Sequence, residues 1–105
     1  MNNTYQIYLI SDSTGETLDR IFLALKAQFK DFDYMVNQYS FTRTENQILK
    51  ILEKIKKKEN AIILYTIVDI KLARFLKKKC AEKKFPCFSV LGDLIMSFTK
   101  ILNQE

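Results

Sequence analysis

The sequence reads as an α/β domain built on a mainly parallel four-stranded sheet. Two observations lead there. Strand-like and helix-like stretches alternate four times along 105 residues, a length that fits one domain. One strand-like stretch is an almost unbroken apolar run, the composition of a strand buried on both faces. Strands separated by helices do not pair as hairpins, so they pair in parallel through right-handed crossovers.

Residues 5–10 (YQIYLI) are rich in β-branched and aromatic side chains and read as the first strand. Leu18, Ile21, Phe22, Leu25 and Phe29 then recur at helical spacing, which predicts a helix from near Gly15 to near Lys30. Residues 34–41 (YMVNQYSF) read as a second strand. Ile48, Ile51, Leu52 and Ile55 mark a second helix, with Thr44 as its N-cap and Glu45 in its first turn. Residues 61–68 (AIILYTIV) form the apolar run. A third helix follows, with Asp69 as N-cap and Leu72, Ala73, Leu76 and Cys80 facing inward. Pro86 precedes a short fourth strand over residues 87–91. A last helix over residues 93–103 presents Leu94, Ile95, Phe98 and Leu102. Such β-α repeats place the chain among Rossmann-like or flavodoxin-like folds. The pattern gives strand content and leaves strand order open.

Apolar residues make up 48% and charged residues 28%, the balance of an ordinary globular protein. No apolar run approaches the ~20 residues that cross a bilayer. The start, MNNTYQIYLI, lacks the basic region and cleavage site of a signal peptide. A cytoplasmic location is therefore expected, with Cys80 and Cys87 as reduced thiols. The net charge of +5 comes mostly from two lysine runs, residues 54–58 (KIKKK) and 77–84 (KKKCAEKK). A basic balance attracts nucleic acid, acidic lipid or phosphorylated substrates. The plainer reading makes both runs solvated helix ends, where lysine complements the helix dipole. Nucleic acid is an unlikely partner, because no exposed aromatics interleave with the lysines.

In open parallel sheets ligands bind at the carboxyl ends of the strands. Residues 11–17, 42–44, 66–69 and 92–93 fall there, and the two glycines, Gly15 and Gly92, lie within them. The segment Ser11, Asp12, Ser13, Thr14, Gly15, Glu16, Thr17 carries four hydroxyls in seven residues at a helix start. Free backbone amides and the dipole there favour an anion such as phosphate. The structural alternative is a cap made by Ser13 or Thr14. Arg43, between Thr42 and Thr44, suits bidentate phosphate recognition, or is a surface arginine. Thr66 and Asp69 line the same rim, Asp69 with the alternative role of N-cap. Gly92 suggests a tight turn and Asp93 a cap. Gly15 and Gly92 lie too far apart for GxxxxGK[ST], and two glycines are too few for GxGxxG. The absence of histidine removes Ser-His-Asp and Cys-His catalysis and most catalytic zinc sites, and no metal site is expected.

The stretch IYLISDSTGET, residues 7–17, followed by an amphipathic helix, resembles the start of the pyruvate, phosphate dikinase regulatory proteins, whose relatives regulate phosphoenolpyruvate synthase. YSFTRT (residues 39–44), TIVD (66–69) and VLGDL (90–94) resemble further segments of that family. The chain departs from the family at Ser89, where Asp is usual, and at Asp93, where Pro is usual. The resemblance covers the chain from about residue 5 and implies an N-terminal domain. It also implies a bifunctional activity: ADP-dependent phosphorylation of a dikinase threonine, and removal of that phosphate by inorganic phosphate with release of pyrophosphate. The family holds ADP in a P-loop in its second half, which this sequence lacks. No cofactor is expected in this chain, and no kinase activity from it alone. The implied partners are pyruvate, phosphate dikinase or phosphoenolpyruvate synthase, and a separate P-loop half. A non-catalytic phosphate- or protein-binding module is the competing reading.

Overall fold

A computed structural model describes residues 4–56 and 59–104. Lys57 and Lys58 of the first lysine run, and Met1 to Asn3 of the opening segment, lie outside the described residues. The elements follow in the order β1 (Tyr5–Ser11), α1 (Glu16–Lys26), β2 (Tyr34–Tyr39), α2 (Glu45–Glu53), β3 (Asn60–Thr66), α3 (Ile70–Glu82), β4 (Cys87–Ser89) and α4 (Gly92–Leu102). The four strands form one sheet in the order β2-β1-β3-β4, and every pairing is parallel. This is the Rossmann-like α/β arrangement expected, with the flavodoxin-like order 2-1-3-4-5 as far as its fourth strand.

The sheet is covered on both faces. Ile7 and Leu9 of β1, with Leu64 of β3, face Leu18 and Phe22 of α1. Tyr8 and Ile10, with Ala61, Ile63 and Tyr65, face Ile48, Ile51 and Leu52 of α2 and Leu72, Leu76 and Cys80 of α3. The register sets Ile7 beside Ile62 and Leu9 beside Leu64, so each face keeps its own apolar row. β1 and β3 are central and buried on both sides, which is why their sequences are apolar without alternation.

Several boundaries differ from the sequence reading, among them β3, which ends at Thr66 rather than at residue 68, and β4, which ends at Ser89 rather than at residue 91. α1 stops at Lys26 rather than near Lys30, because Gln28 N–H donates to Leu25 C=O and Phe29 N–H to Lys26 C=O. These i to i−3 bonds tighten the chain out of the helix. Leu25 and Phe29 consequently stay exposed, and Phe29 meets Phe32 edge-on at 6.3 Å instead of entering the core. The second strand ends at Tyr39, where the chain turns through Phe41 at φ 54°. Asp93 does not cap α4: Gly92 is its first residue, and its N–H donates to Ser89 Oγ at 3.0 Å. A Cβ at Gly92 would lie 2.3 Å from that hydroxyl, so the close approach itself requires glycine.

Both cysteines are free, Cys80 buried and Cys87 half-buried. The lysine runs, as far as they are described, sit at helix ends: Lys54 closes α2 and Lys79 lies in the last turn of α3. No described helix is long and apolar enough to cross a membrane.

Candidate functional site

The loop after β1 lies at the point in the sheet where β1 leads outward to β2 and β3 leads the other way to β4. Loops at such a switch point frame the crevice where α/β proteins take ligands. Here the loops after β1, β2 and β3 are laced together by their backbones. Asp12 N–H donates to Thr66 C=O at 3.1 Å, Thr42 N–H to Ser11 C=O at 2.8 Å, and Phe41 N–H to Ser13 C=O at 2.9 Å. Val68 N–H donates to the Asp12 carboxylate at 2.9 Å. Arg43 Nε donates to Asp12 C=O at 3.0 Å, and its guanidinium lies over the Phe41 ring at 5.2 Å. The structure thus brings the residue 11–17 loop, Arg43 and Thr66 together.

Ser11 is the buried node, 1% exposed. Its Oγ accepts from Ser13 N–H at 3.1 Å and from Thr66 Oγ1 at 3.2 Å, and lies 3.3 Å from Ser13 Oγ. A serine oxygen has two lone pairs and one proton. The two donors use the lone pairs, so the Ser11 proton goes to Ser13 Oγ. Exposed Ser13 therefore keeps its own hydroxyl proton for an acceptor outside the loop.

No side chain caps α1. Its N-cap is Gly15 at φ 88°, a left-handed conformation suited to glycine, and no side chain bonds the helix end as a cap. Thr14 Oγ1 takes only the Glu16 N–H, at 3.4 Å. The cap by Ser13 or Thr14 is not formed, and the amides of Thr14, Gly15, Thr17 and Leu18 bond to no described residue. Open amides of this kind are what an oxyanion takes. α2 and α3 are closed in the ordinary way. Thr44 Oγ1 accepts from Gln47 N–H while Gln47 Oε1 accepts from Thr44 N–H, a capping box. Asp69 Oδ1 accepts from Leu72 N–H at 3.1 Å. Thr44 and Asp69 therefore each have a structural role as caps.

Charge around the loop is mixed. Among the described residues Arg43 is the single cation bonded to it, while Asp12 and Glu16 are acidic and Asp19 lies in the first turn of the helix. The loop offers donors without a surplus of positive charge. A groove lies at the opposite pole, between Tyr5, Ile55, Glu59 and Phe85. Sequence reasoning missed Ser40, whose Oγ donates to Thr14 C=O at 2.7 Å and steadies the turn from β2. It also missed Phe41, held at positive φ beside the site. Neither residue type carries a signal for such a role.

Burial, the bond to Glu59 and the charge of that carboxylate push the Tyr8 phenol above its ordinary range. Burial does the same at Tyr65, one residue before Thr66. Both phenols remain neutral and belong to the supporting core. Among the described residues no cluster of acidic or cysteine side chains is arranged to hold a metal ion.

Comparison with known proteins agrees with the resemblance read from the loop. A protein of Pelagibacter ubique named "Putative pyruvate, phosphate dikinase regulatory protein" is 70% identical over 105 residues, all of this chain and 38% of that protein. Proteins of the same name from a Chelativorans species and from Brucella anthropi are 41% and 42% identical over 98 residues, 93% of this chain and 36% and 35% of theirs. The chain thus spans little more than a third of the length of the curated relatives it matches. The sequence model of the kinase/pyrophosphorylase family matches residues 7–105, and the chain belongs to that family.

Proposed function

We propose that this chain is the N-terminal, phosphate-facing domain of a kinase/pyrophosphorylase that regulates pyruvate, phosphate dikinase. It works with a P-loop segment that holds ADP. The observation that carries the reading is the uncapped start of α1, with four unengaged amides and the Ser13 hydroxyl beside it, in a chain matched to the family along its length. In that reading the loop takes the phosphate being moved: the threonine phosphate of the dikinase, or the inorganic phosphate that attacks it. Arg43 supplies a guanidinium whose Nε is anchored on Asp12, leaving its terminal nitrogens for the anion.

Phosphoryl transfer depends on positioning and on cations around the phosphates. With two glycines in the chain and Asp12 and Glu16 at the loop, the chain's residues do not fit ADP, so no transfer step is assigned to it alone. Titration of inorganic phosphate into the purified chain at low salt should show weak binding, reduced at least threefold by Ser13→Ala and by Arg43→Ala. Unchanged binding in both variants removes the site. ADP-dependent phosphorylation of the dikinase by the chain alone, above a heat-denatured control, overturns the division of labour.

A further inference from the structure

α4 is apolar around most of its circumference. Leu94, Ile95, Phe98 and Leu102 form a stripe at helical spacing, with Met96 and Ile101 beside it, and no residue of the helix is buried. Ile101 is 77% exposed. With Leu91 the stripe lines an open groove of about 400 Å³. A helix apolar on most sides belongs inside a protein. The adjoining sheet edge is equally bare. Phe88 of β4 pairs in register with Leu64, on the α1 side of the sheet, yet is 55% exposed. The order β2-β1-β3-β4 leaves the position of a fifth strand, beside β4, open among the described residues.

We propose that α4 and the outer edge of β4 are a docking surface for the part of the kinase/pyrophosphorylase polypeptide that this chain does not match, which adds a strand to β4 and covers the apolar stripe. The relatives supply the polypeptide: 38% of the Pelagibacter protein is spanned here and the rest is not. A second copy of this chain fits less well. An 11-residue helix offers a patch of roughly 16 Å by 10 Å, far below the ~800 Å² each partner contributes to a standard interface. A segment of the same polypeptide docks at high effective concentration, so a small patch suffices. A lipid surface fits less well again, because Asp93 and Lys100 are the helix's only charges and no basic face accompanies the apolar one. The inference rests on family membership and relative length, and is independent of the phosphate reading.

The test compares the purified chain with a chimaera in which it replaces the matching part of the Pelagibacter relative. Hydrogen exchange of the α4 amides should be at least tenfold slower in the chimaera, and Phe98→Ser with Ile101→Ser should restore fast exchange. Equal exchange in the two proteins overturns the proposal. If the chimaera is insoluble, the tagged chain co-expressed with the relative's unmatched segment reads the same contact. Retention lost in the double variant supports the proposal, and no retention by the unsubstituted chain overturns it. Sedimentation of the chain alone gives the other occupants. A dimer that the double variant dissociates assigns the face to a second copy. Co-sedimentation with phosphatidylglycerol vesicles assigns it to a membrane. Either result overturns the proposal.

Discussion

Replacing Ser11 by alanine removes one buried oxygen and strands two donors, Ser13 N–H and the Thr66 hydroxyl. The contacts are 3.1–3.3 Å, long for hydroxyl bonds, so each contributes at the low end of about 0.5–1.5 kcal/mol. Ser13 is exposed and Thr66 half-buried, so water re-solvates part of what is lost. The net cost is about 1–2 kcal/mol, which for a domain of this size lowers Tm by roughly 5–9 °C. Ser13→Ala removes only the outward hydroxyl and should cost under about 0.5 kcal/mol. The pair therefore separates two parts of the loop: Ser11 holds it together and Ser13 is exposed on its surface. Urea and thermal unfolding of both single variants, with a Ser11→Ala/Thr66→Val cycle, measure this directly, and a coupling of about 0.5–1 kcal/mol is expected. A Ser11→Ala protein melting within a degree of the parent would refute the reasoning, as would a Ser13→Ala protein that loses as much stability.

Gly15→Ala should cost about 1 kcal/mol, since a left-handed residue with a Cβ loses about 1–2 kcal/mol and the stiffer unfolded chain returns about 0.4–1. The new Cβ would stand 3.4 Å from Ser40 Oγ, a tolerable contact, so Gly15→Asn should be milder, and an alanine variant as stable as the parent contradicts this. Tyr8 Oη donates to Glu59 Oε2 at 2.6 Å, and its raised pKa links stability to alkaline pH. Below the ordinary value of 10.0 both folded and unfolded states hold the proton and the contribution is complete. Above it the unfolded phenol ionises first, so stability falls by about 1.4 kcal/mol per pH unit until the folded phenol also titrates. Tyr8→Phe should lower stability at neutral pH and flatten that alkaline slope, and parallel slopes in the two proteins rule the linkage out.

The helices and strands were legible where packing and local chemistry agree. Leu72, Leu76 and Cys80 are spaced to face the sheet, and Asp69 ahead of them caps the helix the spacing predicts. Phe29 misled because its spacing fits a helix that has nothing to pack on beyond Lys26, so the periodicity outlasted the element. Leu94, Ile95, Phe98 and Leu102 gave the right helix but not its exposure, since spacing reports a face and not what covers it. At the candidate site the hydroxyl-rich run was readable, while the sorting of its hydroxyls was not. Ser11 and Ser13 look alike in sequence and differ only because Thr66, more than fifty residues away, reaches one of them. The left-handed turn at Phe41 depends on a bond to Ser13 C=O that no residue near Phe41 foretells.

The lacing of three loops through Asp12, Thr42 and Val68 has a consequence for how an anion would be received. A strap that must fold over its guest gives up freedom at the moment of capture. Here that freedom is surrendered once, when the sheet assembles, and the donors stand ready beforehand. Such a cradle should admit and release phosphate quickly, with little rearrangement. Tight retention of an anion would then need more positive charge than Arg43 alone brings to the loop.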